Sequence, residues 1–263
     1  MGTILDQIIE QKKEEVRLLR EHLNDIPVSH FKARSFIETL QNAEELAIIA
    51  EFKRASPSKG MINSTAVPAE QAVIYEKNGA SAISVLTDQT FFKGAFADLT
   101  AVREAVQLPI LCKDFIIDRL QIDQAKGYGA DLVLLIVAAL KEEELQDLYQ
   151  YATQSGLEVL MEVHNQEELE TALKTGAKLI GVNNRDLKTF NVSLEVTEKL
   201  ATIVKSAGAF LISESGLHQP LDVERVRDAG ANGILVGEAF MKSTSIGETL
   251  KGFKLPLVEG VKK

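Results

Sequence analysis

From Leu46 onward, short apolar runs alternate with stretches whose apolar positions recur at helical spacing. The runs cover 47–52, 82–87, 109–113, 132–137, 158–163, 179–183, 209–213 and 233–236. The helical stretches between them cover 69–77, 97–106, 121–126, 142–153, 166–174, 194–205 and 221–228. Runs that are apolar on both faces and joined by helices predict parallel strands with right-handed crossovers. Ahead of them, residues 1 to about 45 predict helix. Ile4, Ile8, Val16, Leu19 and Leu23 form an apolar stripe, and Lys12, Lys13, Glu14, Glu15, Arg17, Arg20 and Glu21 read as the solvated face. Pro27 ends that pattern, and Phe31, Phe36, Ile37 and Leu40 suggest a second, short helix.

A Gly-Ala pair precedes strand after strand: Gly79-Ala80, Gly129-Ala130, Gly176-Ala177, Gly208-Ala209 and Gly230-Ala231. Each glycine falls where a helix needs a left-handed C-terminal cap. Units of about 25 residues, repeated to about eight strands, predict a closed (β/α)8 TIM barrel with an N-terminal helical extension. The rival, an open doubly wound sheet, is weakened because no G-x-G-x-x-G follows the first run. No low-complexity linker interrupts the chain, so 1–263 reads as one domain, with 1–45 packed on the barrel.

Composition narrows the class without changing the architecture. The 263 residues are 45% apolar and 25% charged, enough for a full core in a water-soluble globule. A formal charge of −9 argues against a nucleic-acid or anionic-membrane surface. No signal peptide opens the chain and no apolar run reaches about 18 residues. Asp6 stands where a myristoylation signal wants Ser or Thr. The single cysteine, Cys112, permits no internal disulfide and fits a reducing cytoplasm. Its parity with Lys113 turns it toward the helices as a small core residue, not a nucleophile. His22, His30, His164 and His218 are dispersed and read as surface or helix-cap residues, with no zinc-like spacing and no Ser-His-Asp arrangement.

The chemistry gathers at the strand ends, where barrels of this kind place their active sites. The first run ends in Glu51 and Lys53, on one face by strand alternation, before the loop Ser56-Pro57-Ser58-Lys59-Gly60, which reads as turn. The third ends in Lys113-Asp114, the fifth in Glu162, the sixth in Asn183-Asn184-Arg185, the seventh in Ser213-Glu214-Ser215-Gly216 and the eighth in Gly237-Glu238. Parity pairs Leu111 with Lys113, Leu160 with Glu162 and Asn183 with Arg185. Two lysines, two glutamates and an arginine therefore point toward one mouth. Crowded, partly desolvated lysines are expected to have lowered pKa values and to act as general acids. A glutamate in an apolar barrel can act as base or stabilise a developing cation. Ser215-Gly216 and Gly237-Glu238, each expected to open a helical turn, form a seat for an anion, which points to a small phosphorylated substrate. Phe91, Phe92, Phe115, Leu135 and Leu187 supply either a wall for a flat ring or ordinary core packing.

The segments AEFKRASPSKG, PILCKDFIID, GADLVLLIVAAL, MEVHN, IGVNNRDL, ISESG and ILVGEAFM resemble those of the indole-3-glycerol phosphate synthases, over residues 4 to about 250. That resemblance implies conversion of 1-(2-carboxyphenylamino)-1-deoxyribulose 5-phosphate to indole-3-glycerol phosphate, with loss of CO2 and water and no cofactor or metal. It implies Lys113 as the general acid of ring closure and Lys53 as a second lysine, acid for loss of the hydroxyl. Glu51 and Glu162 become the acidic partners, and Asn183 and Arg185 orient substrate. Ser56, Ser215, Gly216, Gly237 and Glu238 look like phosphate or substrate contacts, and Phe92, Phe115, Leu135 and Leu187 are taken beside them as the apolar lining of the substrate site. Glu238 departs from the serine common in that family, and its carboxylate would repel phosphate unless only its N–H is used. Two other readings stand beside this one: another phosphosugar barrel such as an Amadori isomerase, and a phosphate-binding barrel without catalysis. In every case the expected ligand is a small phosphorylated molecule, with no obligate protein partner.

Overall fold

The computed structural model describes residues 2–57 and 59–258. Met1, Ser58 and 259–263, all within the expected 1–263 domain, lie outside the described residues. Helix α1 (Ile4–Glu21) starts at a capping box: the Thr3 hydroxyl accepts from Asp6 N–H, and the Asp6 carboxylate accepts from Thr3 N–H. Its buried face is Ile8, Lys12 and Val16. Lys12 thus departs from the expected solvated face and is only 2% exposed. It lies one helical turn from both Ile8 and Val16, so the apolar stripe carries it inward.

A short 3-10 turn (Leu23–Asp25) leads to α2 (Phe36–Gln41). Phe31, expected on that helix, sits in the preceding loop with its ring against the Arg103 guanidinium. Then follow β1 (Ala47–Phe52), β2 (Ala55–Ser56), β3 (Gly60–Met61), α3 (Pro68–Lys77), β4 (Ala82–Leu86), α4 (Phe96–Ala105), β5 (Ile110–Lys113) and α5 (Arg119–Gly127). The chain continues through β6 (Leu132–Ile136), α6 (Glu142–Gln154), β7 (Glu158–Val163), α7 (Gln166–Lys174), β8 (Leu179–Asn183), α8 (Glu195–Ser206) and β9 (Phe210–Glu214). It ends in α9 (Pro220–Ala229), β10 (Gly233–Val236), α10 (Glu238–Lys242) and α11 (Ile246–Phe253). The loop expected after β1 carries β2 and β3, a small antiparallel hairpin that pairs Ala55 with Met61 and Ser56 with Gly60. Such a two-residue ladder is too short to show as a period in the sequence.

Strands β1 and β4 to β10 close into a parallel barrel, with β1 hydrogen-bonded to both β4 and β10. This is the (β/α)8 architecture that the pattern predicts. The five repeated glycines all take the left-handed conformation that ends a helix, from φ 71° at Gly208 to 113° at Gly230. Alternation divides each strand between two cores. Ile49, Leu111, Leu134, Leu160, Leu179, Ile212 and Leu235 fill the barrel, while Ile48, Cys112, Val133, Leu135, Met161, Ile180 and Ile234 pack against the helices.

The extension contacts both ends of the barrel. At the N-terminal end Phe36 and Leu40 join the inner core, and Glu158 at the start of β7 accepts from Phe36 N–H at 2.9 Å and Ile37 N–H at 3.1 Å. Between α1 and α2 the chain runs so close to α5 that a Cβ on Gly127 would overlap the Pro27 carbonyl oxygen. At the other end Ile4, Leu5 and Ile8 of α1 roof a cavity floored by the strand ends. Among the described residues no helix is long and apolar enough to cross a membrane.

Candidate active site

Strand register brings the charged ends level. Leu86 pairs with Lys113, Ile136 with Glu162, and Asn183 with Glu214, so residues distant in sequence occupy adjacent strand ends. The cavity there is lined by Glu51, Lys53, Lys113, Glu162, Asn183, Ser56, Phe92, Phe115, Arg185, Leu187, Ser215, Gly216, Gly237 and Glu238. Of the residues singled out from sequence, Leu135 and Phe91 do not belong to it; Phe91 lies outside, beside Asp6 and Glu10 of α1. Leu135 is fully buried in the outer core, because Leu134 and Ile136 hold the inward parity of β6.

Lys113 is the hub. Its Nζ lies 2.9 Å from Glu214 Oε2 and 3.2 Å from Glu51 Oε2, while Lys53 Nζ lies 2.5 Å from Glu51 Oε1. The expectation of lysines with lowered pKa values fails at Lys113. Burial opposes its charge, but Glu214, Glu51 and Glu162 outweigh that and push its pKa above the ordinary value. Glu51 is also fully enclosed, yet Lys113 and Lys53 hold its pKa down to about 2. Glu214 is pushed up to about 7 by burial, with Glu162 and Glu51 adding repulsion that Lys113 only partly offsets. Glu51 receives two lysines and Glu214 shares one, which is why their pKa values separate.

The sequence places Glu214 at a strand end but by itself gives it no role. The available signal was parity: Ile212 faces the barrel interior, so Glu214 must as well. Two glycines make room for the acids. A Cβ on Gly181 would overlap Glu214 Oε1, and one on Gly237 would overlap Glu51 Oε1.

Glu162 is held separately. Asn183 Nδ2 donates to Glu162 Oε1 at 3.1 Å, and His164 Nε2 lies 3.2 Å from the same oxygen. His164 Nδ1 is 2.9 Å from Glu168 Oε2, and Glu168 also accepts from His164 N–H. His164 is therefore no surface or simple cap residue. Although burial disfavours its charge, the two glutamates raise its pKa to about 10. Glu162 is pulled down against its own burial by His164 and Lys113.

The anion seat differs from expectation on one side. Gly237 does precede a helix, the short α10, but Ser215-Gly216 opens none. Both residues lie in the left-handed region, Ser215 at φ 64° and Gly216 at 83°, and α9 starts only at Pro220. A non-glycine there is strained and needs support. Buried Asn184 supplies it: its Nδ2 donates to the carbonyl oxygens of Glu214 and Ser215 at 2.9 and 3.2 Å, and its Oδ1 accepts from Thr197 Oγ1 at 2.9 Å. The Glu238 carboxylate is turned to Lys242 at 2.7 Å, with Lys59 at 3.6 Å, which screens its charge from the cavity. On the apolar side Phe92 and Phe115 face each other with ring centroids 5.9 Å apart. Among the described residues no three His, Cys, Asp or Glu side chains are grouped as a metal site would require.

Residues 5–253 match the family model described as indole-3-glycerol phosphate synthase. This chain belongs to the indole-3-glycerol phosphate synthase family. A synthase of that name from Oceanobacillus iheyensis is 50% identical over 257 residues, spanning 98% of each chain. One from Bacillus cereus is 53% identical over 246 residues, spanning 94% of this chain and 96% of its own. Among solved structures, the N-acetylmannosamine-6-phosphate 2-epimerase from Clostridium perfringens superposes with a TM-score of 0.61 at 17% identity. It covers 81% of this chain and 93% of its own, a likeness of fold alone. The lyase activity of the family fits a cavity that holds an ammonium between two carboxylates beside two aromatic rings.

Proposed function

We propose that this chain converts 1-(2-carboxyphenylamino)-1-deoxyribulose 5-phosphate to indole-3-glycerol phosphate, CO2 and water. The observation that carries the reading is the Lys113 ammonium, seated between Glu51 and Glu214 under the Phe92–Phe115 wall. The phosphate binds the N–H groups of the Ser215-Gly216 turn and the start of α10 at Gly237 and Glu238. The carboxyphenyl ring lies against Phe92, Phe115 and Leu187. Arg185 pairs with the substrate carboxylate, and Asn183 and Ser56 orient the hydroxyls.

The aromatic carbon that bears the carboxylate attacks the ribulose ketone. As that bond forms, the ketone oxygen becomes a strongly basic alkoxide. An ammonium held charged by carboxylates keeps its proton until such an oxygen appears, so Lys113 delivers it in the transition state rather than before. The carbon–carboxylate bond then breaks, CO2 leaves, and its electron pair restores the aromatic ring. Glu51 and Glu162 stabilise the iminium-like cation that ring closure leaves and CO2 loss discharges, and the cation that forms again when the hydroxyl departs. Lys53 protonates the departing hydroxyl, and a glutamate removes the proton that completes the indole.

The reading also has residues 1–263 act as one domain in the cytoplasm, on a phosphorylated small molecule, without nucleic acid, membrane or an obligate protein partner. Incubation with the carboxyphenylamino ribulose phosphate should yield indole fluorescence. A product with no indole absorbance would replace this reading with a phosphosugar isomerase, and binding without turnover would replace it with a binding barrel.

A further inference from the structure

One buried cation takes no part in the chemistry above. Lys12 projects from α1, and its ammonium is surrounded by three carboxylates: Asp114 at 2.7 Å, Glu15 at 2.8 Å and Asp88 at 2.9 Å. Lys12, Asp88 and Asp114 are 2%, 0% and 5% exposed, so the pairs are shielded from competing water. The ammonium has three N–H donors, and three acids are within reach. Burial of so many charges is costly unless each is matched, and here one lysine matches two loops.

Those loops carry the aromatic wall. Asp88 follows β4, and its Oδ1 accepts from the backbone N–H groups of Phe91 at 2.6 Å and Phe92 at 3.1 Å. Asp114 stands between Lys113 and Phe115, accepts from the Thr87 hydroxyl at 2.5 Å, and accepts from the Phe115 N–H at 2.8 Å. One turn before Lys12, Ile8 lines the same cavity from above. Phe92, Phe115 and Ile8 thus sit on three separate elements with one ammonium at their junction.

We propose that Lys12 is a positioning residue that sets the spacing of the Phe92–Phe115 wall and the α1 roof, and so governs binding of the substrate's aromatic ring. The inference rests on the proposed function for its substrate, not for its structural half. Lys113 is held independently of Lys12, by the β4–β5 ladder and by Glu51 and Glu214. Removing Lys12 should therefore loosen the wall more than the acid.

The test compares wild type with Lys12→Met in two measurements. Hydrogen exchange needs no substrate: in the variant the amides of Phe91 and Phe92 and those of α1 should lose protection, while β7 to β9 keep theirs. Steady-state kinetics should show kcat/KM falling on the order of 10²-fold, the cost that misplacing a substrate-positioning group by about 1 Å can reach, with the larger part of the loss in KM and the smaller in kcat. Unchanged protection at Phe91 and Phe92 would overturn the inference, as would lost protection with unchanged KM, which would make Lys12 a strap for α1 only. If Lys12→Met does not fold, Asp88→Asn carries the test without leaving two unmatched acids: KM should rise here too, and a wild-type KM would refute the proposal. Failure of the proposed function shows differently, as absence of indole product from the wild-type chain whatever the exchange data give.

Discussion

Replacing Lys113 by methionine keeps an unbranched side chain of similar length and removes only the ammonium. The structure sets what is lost. At 2.9 Å and 3.2 Å, and with an effective dielectric constant of about 20, Lys113 attracts Glu214 and Glu51 by about 5–6 kcal/mol each before desolvation is counted. Burial of Glu51 and Glu214, with Lys113 mostly enclosed between them, offsets much of that, so net stability should change far less than the sum. The rate has no such offset. A positioned general acid is worth about 10²–10⁴ in kcat, or about 3–5 kcal/mol of barrier. Single-turnover indole fluorescence, with substrate saturating, measures that step apart from binding and release. The wild-type pH profile supplies a second check. The raised pKa of Lys113 keeps it charged past its ordinary 10.5, so no loss of activity between pH 7 and that value should come from its titration. A Lys113→Met variant with kcat within about threefold of wild type would refute the acid role, since that is far below the worth of a positioned general acid.

Three further outcomes follow from the same geometry. Glu214 binds its proton more tightly in the folded chain, at about 7 against an ordinary 4.5, so its contribution to stability is full below 4.5 and is lost as pH rises through 7. Denaturant unfolding should show a decline on the order of 3 kcal/mol from this group across that window, and Glu214→Gln should flatten it. Gly181→Ala pushes a methyl into Glu214 Oε1 and should cost on the order of 10²-fold in kcat/KM with an unchanged circular dichroism spectrum; wild-type kinetics would show that Glu214 has room to move. Leu135→Ala should destabilise by about 2–5 kcal/mol and leave KM unchanged, as measured by unfolding and steady-state kinetics, because that side chain packs against helices and not substrate.

Much of this protein is legible along the chain. Unbroken apolar runs locate the barrel strands, period-3.6 patterns locate the helices between them, and Gly-Ala pairs mark where helices hand over to strands. Parity then says which strand-end residues face inward, and for Glu51, Lys113, Glu162 and Asn183 that is where they are found. The same rule, applied to β6 and β9, would have removed Leu135 and added Glu214. Lys12 was also within reach, since it shares a helix face with Ile8 and Val16.

Other features were not legible at all. No local rule places His164 beside Glu162, sets Asn184 under the strained Ser215 turn, or leaves Gly181 as the space for a glutamate carried by the next strand. Nor could sequence tell that Lys113 would gain charge stability from carboxylates rather than lose it to burial. The chain's own pattern determined the strands, the helices and the end of the barrel where the chemistry gathers, because these depend on residues a few positions apart. Which cation meets which acid, and therefore which groups hold protons at neutral pH, was decided only by barrel closure. Electrostatic energies depend on distances of about 3 Å between residues up to about 100 positions apart, and only the closed register sets those distances.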